Sequence, residues 1–340
     1  MTSTATKILV VRYSALGDVV LATSVLDPLL EAFPGARIEW VTDPLYAPLL
    51  EGLPQIAAVH PIDREGPQAA FALRDRLRHR FDVAIDLQNK IRSAVVVQAA
   101  APRRLTFRRR TPGRALLALL GSDPPIARAH ATKLYAEALA PLGVKGPGPL
   151  HVHLSRTAQA LASDALSPAK PPIVAIAPGA RWATKRWPSA RFAEVAQALA
   201  DDGASIVLAG GPDDRDTFAT MKAGLRARVA ADLSPLPIDA LAAALARVEL
   251  LIACDSGPVH LCSAVGTPAL ALFGPTSAVR WAPPLPGRAL SLGLTCSPCS
   301  NHGSDFCPEG HHRCLADLDA GMVIALAREM LAGRATAAVR

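Results

Sequence analysis

The sequence predicts an α/β protein built from two doubly wound domains. Its 340 residues suggest about two domains of ~150 residues each. Short runs rich in valine, isoleucine and leucine recur along the chain, and they are continuously apolar, as parallel strands buried on both faces are. Helical patterns lie between them, as at 190–201 and 238–248, which favours a parallel sheet in each domain. The predicted strands are 8–11, 38–41, 83–87, 173–177, 205–209, 250–253 and 269–273.

A stretch rich in proline and glycine interrupts this alternation once. At 141–150 and 167–172 these residues are dense enough to separate elements of secondary structure. A new strand begins at Ile173, so we place a domain boundary near 155–172. The predicted division is an N-terminal Rossmann-like domain over 1–160, a C-terminal Rossmann-like domain over 161–317 and a closing helix over 318–340.

The composition excludes several classes of protein. Only 19% of the residues are charged, which is too few for a disordered chain, and six cysteines argue against a disulfide scaffold. No run of ~18 apolar residues is present to span a membrane, and no basic region precedes a cleavage site, so we expect a soluble, cytoplasmic protein. The net charge of +7 fits an anionic ligand, an anionic membrane, nucleic acid or a solvated basic surface.

The first candidate site follows the first predicted strand. In open α/β sheets, ligands bind at the carboxyl ends of the strands, often at a helix N-terminus. Gly17 permits a tight turn and close approach of a ligand there. Asp18 falls at the start of the next helix, where it either caps the helix or acts as a catalytic carboxylate. The loop lacks the Gly-X-Gly-X-X-Gly pattern, so the dinucleotide-binding fingerprint is absent.

The second candidate site follows the first strand of the C-terminal domain. Its loop carries Arg181, Lys185 and Arg186 ahead of Pro188, which suits the start of a helix. Three cations beyond the carboxyl end of a strand suit a phosphate, because lysine offers a mobile point charge and arginine a bidentate fork. The alternative is a solvated basic loop.

A third candidate site follows the strand at 250–253. Asp255 and Ser256 can cap a helix that starts near Pro258, with its first amides directed toward the same end of the sheet. A helix N-terminus carries roughly half a positive charge and suits a pyrophosphate. His260 lies in the first turn, either as a structural hydrogen-bonding residue or as a ligand contact.

Five motifs occur in order along essentially the whole chain. They are Ser-Ala-Leu-Gly-Asp at 14–18, Pro-Gly-Ala at 178–180, Lys-Arg-Trp-Pro at 185–188, Asp-Ser-Gly-Pro-Val-His at 255–260 and Phe-Gly-Pro-Thr at 273–276. In this combination the chain resembles glycosyltransferase family 9, the bacterial ADP-heptose:lipopolysaccharide heptosyltransferases, and it resembles the second-heptose type more than the first. The resemblance implies a GT-B fold, in which two Rossmann-like domains face each other across a cleft. It also implies inverting transfer of heptose from ADP-heptose to the inner core of lipopolysaccharide.

The resemblance also implies roles for single residues. Asp18 matches the catalytic base, and Lys185 matches the phosphate-binding lysine. The first-heptose type has two threonines where this chain has Ala180 and Arg181, so Arg181 would supply a charge in place of hydroxyl contacts. The implied donor-binding residues are Gly179, Ala180, Arg181, Lys185, Asp213, Leu236, Asp255, Ser256, Gly257 and His260.

The expected chemistry needs a base and a stabilised leaving group. A sugar hydroxyl is a poor nucleophile, so Asp18 would take its proton as the new bond forms. The departing ADP would be stabilised by Lys185, Arg181 and the amides near Gly257 and Val259. Because no Asp-X-Asp motif stands in a plausible metal-binding loop, we expect that catalysis requires no cofactor.

The N-terminal domain is expected to bind the acceptor, the inner core and lipid A of lipopolysaccharide. Six arginines lie between residues 103 and 114, and they suit the acid sugars and phosphates of such an acceptor. The same patch would hold the protein on the anionic inner leaflet of the inner membrane at ~1 kcal/mol per cation, or it is a solvated basic face. Aromatic residues are too few for stacking on nucleic acid, which we do not expect as a partner. The predicted acceptor-binding residues are Ser14, Gly17, Lys90, Arg92, Arg103 and Arg104.

Four of the six cysteines crowd into a short C-terminal stretch. They are Cys296, Cys299, Cys307 and Cys314, and the first pair has zinc-knuckle spacing. Four thiolates would form a closed structural zinc site with no open position for chemistry. Reduced buried thiols and adventitious disulfides are the alternatives.

Two other functions stay open from the sequence. One is a GT-B transferase or epimerase that uses another nucleotide sugar, which a competition of ADP against UDP and GDP would reveal. The other is a basic zinc-knuckle protein that binds nucleic acid, which predicts tight, salt-dependent binding of oligonucleotides.

Overall fold

The chain folds into two compact units. The computed structural model describes residues 5–63, 68–107 and 129–338. Along these residues the first unit ends at His153 and the second begins at Leu154. The predicted boundary between 160 and 161 falls within the first helix of the second unit.

The described part of the first unit forms a five-stranded parallel sheet in the order β3-β2-β1-β4-β5. The strands are β1 (Lys7–Val11), β2 (Arg37–Thr42), β3 (Ile56–Pro61), β4 (Val83–Asp86) and β5 (Arg103–Thr106). The helices are α1 (Leu16–Ala22), α2 (Leu26–Ala32), α3 (Gln68–Leu77), α4 (Ile91–Ala100) and α5 (Ala131–Ala138).

The central strand β1 shows how the sequence builds this sheet. It pairs with β2 on one side and β4 on the other, so its residues from Ile8 onward are completely buried. Leu9 and Val11 belong to the same hydrophobic cluster as Leu73 of α3 and Val97 of α4. Burial on both faces of the sheet explains why the sequence of β1 is continuously apolar.

The described residues of the second unit form a six-stranded parallel sheet in the order β11-β10-β9-β6-β7-β8. The strands are β6 (Ile173–Ala177), β7 (Ser205–Leu208), β8 (Ala231–Asp232), β9 (Leu250–Cys254), β10 (Ala269–Leu272) and β11 (Arg288–Leu290). The helices are α6 (Arg156–Ala165), α7 (Ser189–Asp201), α8 (Arg215–Ala223), α9 (Ile238–Leu245), α10 (Gly257–Val265), α11 (Ala278–Trp281), α12 (Arg313–Ala316) and α13 (Ala320–Ala338). Within the described ranges, no helix has both the length and the apolar character that crossing a bilayer requires.

All seven predicted strands are present, which confirms the predicted α/β class with two parallel sheets. The described residues contain four further strands, namely β3, β5, β8 and β11. These four form the two edges of each sheet. An edge strand is paired on one side only and is partly exposed, so it lacks the continuous apolar run by which the central strands were found.

Candidate functional site

The first unit gathers several predicted site residues at one edge of its sheet. Strands β1 and β4 are parallel neighbours, so the loops that follow them lie side by side. The side-chain oxygen of Gln88 accepts hydrogen bonds from the amides of Tyr13 (2.9 Å) and Ser14 (3.2 Å). The Tyr13 hydroxyl donates to the carbonyl of Arg92 at 3.3 Å. The loop that carries Ser14 is thereby tied to the start of α4, where Lys90 is the N-cap residue and Arg92 lies in the first turn. Gly17 is the second residue of α1 and not part of a tight turn, in contrast to the expectation from the sequence.

Asp18 lies at this edge, as the third residue of α1. The N-cap position is held by Ala15, so Asp18 is not the capping residue that the sequence left as an alternative. Its Oδ1 lies 2.7 Å from a guanidinium nitrogen of Arg12 and accepts a hydrogen bond from the Tyr135 hydroxyl at 2.8 Å. Two donors on one oxygen fix the orientation of the carboxylate.

The partner cation, Arg12, is almost completely buried. Burial would lower the pKa of Arg12, but the opposing effects of Asp18, Tyr135 and Asp86 leave it raised. Arg12 also donates to the carbonyl of Leu87. A guanidinium held in this way is a permanent charge beside Asp18.

Asp86, at the end of β4, organises the turn that leads to Lys90. Burial raises its pKa, and hydrogen bonds from the Asn89 amide, the Ser93 hydroxyl and the Gln88 amide oppose the rise. The Ser93 hydroxyl in turn accepts from the amide of Lys90 at 3.0 Å. Neither Arg12 nor Asp86 was predicted from the sequence as a site residue, although a charged residue at the end of each of two apolar strands was a usable signal.

Arg103 and Arg104 do not join this edge. They are the first two residues of β5 and pair with Val83 and Ala84, the first two residues of β4. In parallel strands this register places them toward the amino end of the sheet. Their guanidinium groups donate to the carbonyls of Pro141 and Gln98. Arg103 and Arg104 are thus separated from the edge that holds Asp18, and their role in binding the acceptor stays a prediction. Arg108, Arg109, Arg110 and Arg114 lie outside the described residues.

The second unit brings its predicted motifs together at one edge. Strands β7, β6, β9 and β10 are consecutive and parallel, so the four loops after them meet at their carboxyl ends. Lys185 ends a short 3-10 helix in the loop after β6, and its Nζ lies 2.8 Å from Oδ2 of Asp255, which follows β9. The same oxygen accepts a hydrogen bond from the Thr276 hydroxyl, after β10, at 2.6 Å. The Lys185 and Asp255 side chains are 14% and 6% exposed, so this pair is shielded from water.

Helix α10 starts beside this ion pair. Ser256 is its N-cap residue, but the Ser256 hydroxyl donates to the carbonyl of Cys254 at 3.1 Å and does not cap the helix. The expected capping by Asp255 and Ser256 is therefore wrong, and among the described side chains none caps α10. Pro258 has no N–H, and the Val259 amide, expected to bind the diphosphate, instead donates to the Ser256 carbonyl at 3.2 Å. It is therefore the Gly257 amide that can bind an anion at the start of α10, next to the positive charge of Lys185. His260 is buried in this first turn, with its ring 6.3 Å from that of Trp281.

An acidic side chain lies against the Pro-Gly-Ala motif. A Cβ atom on Gly179 would lie 1.8 Å from Oδ1 of Asp214, so only glycine leaves room for this carboxylate. Its Oδ2 accepts the amide of Gly211 at 2.9 Å, and burial raises the pKa of Asp214. Asp213, the acid predicted from the sequence, is exposed. In the structure it is therefore Asp214, and not Asp213, that lies against the Pro-Gly-Ala loop.

The remaining predicted donor residues surround this edge. Arg181 is exposed, with its guanidinium carbon 5.4 Å from the centre of the Trp182 ring. The carbonyl of buried Ala180 accepts a hydrogen bond from Arg186 at 2.8 Å. Leu236 is half-buried in the turn between β8 and α9.

The four C-terminal cysteines are reduced and lie close to one another. Burial and the neighbouring thiols raise the pKa of Cys314 to about 11, and the same causes raise the pKa of Cys299. In the part of the chain that the structure describes, no three His, Cys, Asp or Glu side chains are arranged to hold a metal ion. The zinc site stays a prediction from the cysteine spacing.

Comparison with known proteins places this architecture in a family. The model of glycosyltransferase family 9 (heptosyltransferase) matches residues 70–309. Lipopolysaccharide heptosyltransferase 2 of Escherichia coli K12 is 28% identical over 92% of this chain and 94% of its own. Lipopolysaccharide heptosyltransferase 1 of Pseudomonas aeruginosa is 28% identical over 92% of this chain and 91% of its own.

A solved structure matches the fold over the whole length. The E. coli ADP-heptose lipopolysaccharide heptosyltransferase II superposes with a TM-score of 0.74 at 24% identity, covering 96% of this chain and 99% of the other. The two parallel-sheet units therefore correspond to the GT-B fold. The family match spans most of the chain, and the chain accordingly belongs to glycosyltransferase family 9, the heptosyltransferases.

Proposed function

We propose that this protein transfers heptose from ADP-heptose to the inner core of lipopolysaccharide, as an inverting transferase of the second-heptose type. The family match and the names of the relatives support the reaction class, the donor and the kind of acceptor. The Lys-Arg-Trp-Pro and Asp-Ser-Gly motifs favour the second-heptose type. The observation that carries the proposal is the shielded Lys185–Asp255 pair beside the start of α10.

This site suits the diphosphate of the donor. A diphosphate bound at the Gly257 amide, where α10 starts, would lie within reach of the Lys185 ammonium, and both groups would stabilise the charge that develops as ADP departs. Asp255 holds the ammonium at that place through its 2.8 Å contact. Arg181, exposed on the same loop, can add a second cation.

The rest of the donor would contact the neighbouring loops. We propose that Asp214 and Leu236, which follow β7 and β8, bind the nucleoside, since both lie on loops at the carboxyl edge of the sheet. Asp213 stays an exposed second candidate for the same role. Gly179 and Ala180 would approach the donor through their backbone, and His260 would support the first turn of α10.

Asp18 is proposed as the general base. A carboxylate can accept the proton of the attacking sugar hydroxyl as the bond to the anomeric carbon forms, and direct displacement then inverts that carbon. Arg12 and Tyr135 both bind Oδ1 and set the direction of the carboxylate. The proposed contacts to the anionic acceptor lie after β1 and β4, the two neighbouring strands at this edge of the sheet. They are Ser14, Gly17, Lys90 and Arg92.

The experiment that tests the proposed donor measures nucleotide binding by calorimetry. We expect saturable binding of ADP that is at least ~10-fold tighter than binding of UDP or GDP and is unchanged by EDTA, with ADP released only when acceptor is added with ADP-heptose. Equal affinity for the three nucleotides would point to another nucleotide sugar. Tight, salt-dependent binding of oligonucleotides in place of ADP binding would support the nucleic-acid alternative.

We further propose that the start of α4 contacts the anionic cytoplasmic leaflet that holds the acceptor. Ile91 is 86% exposed and stands between Lys90 and Arg92, so an apolar side chain is flanked by cations. The double variant Lys90→Gln/Ile91→Ser is expected to bind phosphatidylglycerol vesicles about fivefold or more weakly in a sedimentation assay. Leu285→Ser, at a residue 88% exposed in the second unit, is the control and should bind as the original protein does. Unchanged binding by the double variant would refute this contact.

A further inference from the structure

The cysteine segment, residues 296–314, lies against the proposed diphosphate site. Sequence patterns suggest only a structural zinc site for it. In the structure its backbone makes contacts on two sides, one next to Lys185 and the other next to Thr276, the hydrogen-bond partner of Asp255. The segment therefore touches the loops that carry both members of the ion pair.

The first side is the residue before Lys185. Thr184 is buried, and its amide and hydroxyl both donate to the carbonyl of Ser304, at 3.1 and 2.7 Å. The Thr184 hydroxyl also accepts the amide of Ser304 at 2.9 Å. Nε2 of His312 donates to the Thr184 carbonyl at 2.6 Å. Four hydrogen bonds thus hold a single residue of the loop, immediately before the proposed phosphate ligand.

The segment also packs on the stem of Lys185 itself. Gly303 has a φ of +88°, a conformation that glycine adopts without strain. A Cβ atom on Gly303 would lie 2.8 Å from Cγ and Cδ of Lys185. The backbone of the segment therefore lies directly against the aliphatic part of the lysine and limits the directions that its ammonium can take.

The second side is the loop after β10. The amides of Cys299 and Ser300 donate to the carbonyl of Pro275 at 3.0 and 2.9 Å, and the Ser297 hydroxyl donates to the carbonyl of Gly274. The next residue, Thr276, donates to Oδ2 of Asp255, the oxygen that faces Lys185. Both ends of the Lys185–Asp255 contact are thus anchored to one segment.

We infer that the cysteine segment is a clamp that positions the Lys185–Asp255 pair for the donor diphosphate, with Thr184 and His312 as its positioning residues. The inference rests on the proposed role of Lys185. Because the anchored loop already restricts Lys185, less conformational freedom is lost when Lys185 binds phosphate. We therefore expect the clamp to increase the affinity for the donor. The clamp contacts given above all lie within the second unit.

The test removes the hydroxyl of Thr184 and measures donor binding in the full-length protein. For Thr184→Val we expect an approximately tenfold rise in the Kd of ADP and in KM for ADP-heptose, since two hydrogen bonds are lost, with KM for the acceptor unchanged. Thr184→Ser keeps the hydroxyl and should restore the original affinity. Thr220→Val is the matched control, because the exposed Thr220 hydroxyl also bonds a backbone carbonyl in the same unit.

A double-mutant cycle separates positioning from simple loss of structure. If Thr184 acts through Lys185, adding Thr184→Val to Lys185→Ala leaves the Kd of ADP at the value of Lys185→Ala alone. His312→Asn is a second variant. Asparagine tolerates the left-handed backbone at this position (φ +51°), and the substitution removes the imidazole. It should also raise the Kd of ADP and KM for ADP-heptose.

The outcomes distinguish the clamp from the proposed function. If Lys185→Ala weakens ADP binding but Thr184→Val and His312→Asn do not, the clamp is refuted and the diphosphate site stands. The clamp is also refuted if Thr184→Val weakens binding to the same degree with and without Lys185. If Lys185→Ala leaves ADP binding unchanged, the proposed diphosphate role fails, and the clamp fails with it.

Discussion

Replacing Asp18 by asparagine is expected to lower kcat by at least ~100-fold, because the amide cannot take the proton of the attacking hydroxyl. The Kd of ADP should be unchanged, since the contacts proposed for ADP all belong to the second unit. The measurement pairs steady-state release of ADP with calorimetric binding of ADP to the same preparation.

Asparagine is a better replacement than alanine at this position. Arg12 is buried, and removing the oxygen it contacts would leave a buried charge unpaired, at a cost of about 3–5 kcal/mol of stability. Asparagine loses the negative charge but keeps an oxygen of the same size that can accept the hydrogen bonds of Arg12 and Tyr135. The melting temperature of the variant shows whether the fold survives. Asp75→Asn is the control, because Asp75 is an exposed acid of the same unit, paired with Arg74. Turnover near the original value in Asp18→Asn would remove Asp18 from the mechanism.

Replacing Lys185 by alanine is expected to raise the Kd of ADP by roughly 10- to 100-fold, the effect of losing one hydrogen bond from a charged group to phosphate. The change also leaves the carboxylate of Asp255, which is 6% exposed, without its cation at the site of an anionic ligand, so repulsion adds to the loss. Calorimetric titration with ADP at two salt concentrations measures both effects.

Lys222→Ala is the matched control for this substitution. Lys222 also pairs with an aspartate of the second unit, Asp232 at 3.1 Å, but the two side chains are 43% and 35% exposed. An exposed pair contributes about 0–1 kcal/mol to stability. Asp232 belongs to β8, which is separated by β7 from β6, the strand that precedes Lys185. Its loss should leave ADP binding unchanged. If both lysine variants bind ADP equally well, the anion site beside α10 is refuted.

The strands show which part of the fold a local sequence pattern can predict. The seven predicted strands include every central strand of the two described sheets, because burial on both faces imposes a continuous apolar run. The edge strands are paired on one side only and lack this continuous apolar run. Strand β5 even begins with Arg103 and Arg104, which were interpreted as part of a ligand-binding patch. A strand that exposes its residues can carry charges without losing its pairing.

The candidate site residues also fall into two groups, those that a local sequence pattern predicts and those that it does not. Glycine, proline and charged residues follow β1, β6, β9 and β10 within a few positions of each strand end. This local pattern predicted Asp18, Lys185 and Asp255 as site residues. Tyr135, a partner of Asp18, lies 117 residues away in the sequence, and no local pattern connects the two. Asp214, and not Asp213, lies against Gly179 because its carboxylate occupies the space that a side chain at residue 179 would fill. This fit depends on tertiary packing and not on a local pattern.

The sequence by itself determined the fold class, the order of the central strands along the chain and the loops that are proposed to carry the chemistry. These features follow from hydrophobic periodicity and from glycine, proline and charge at strand ends, which act over a few residues. Only the tertiary structure decided which side chains hold Asp18 and Lys185, that Asp255 and Ser256 leave α10 uncapped, and that the cysteine segment anchors the Lys185 loop. These are contacts between residues far apart in the chain, and the packing of the sheets and loops fixes their distances.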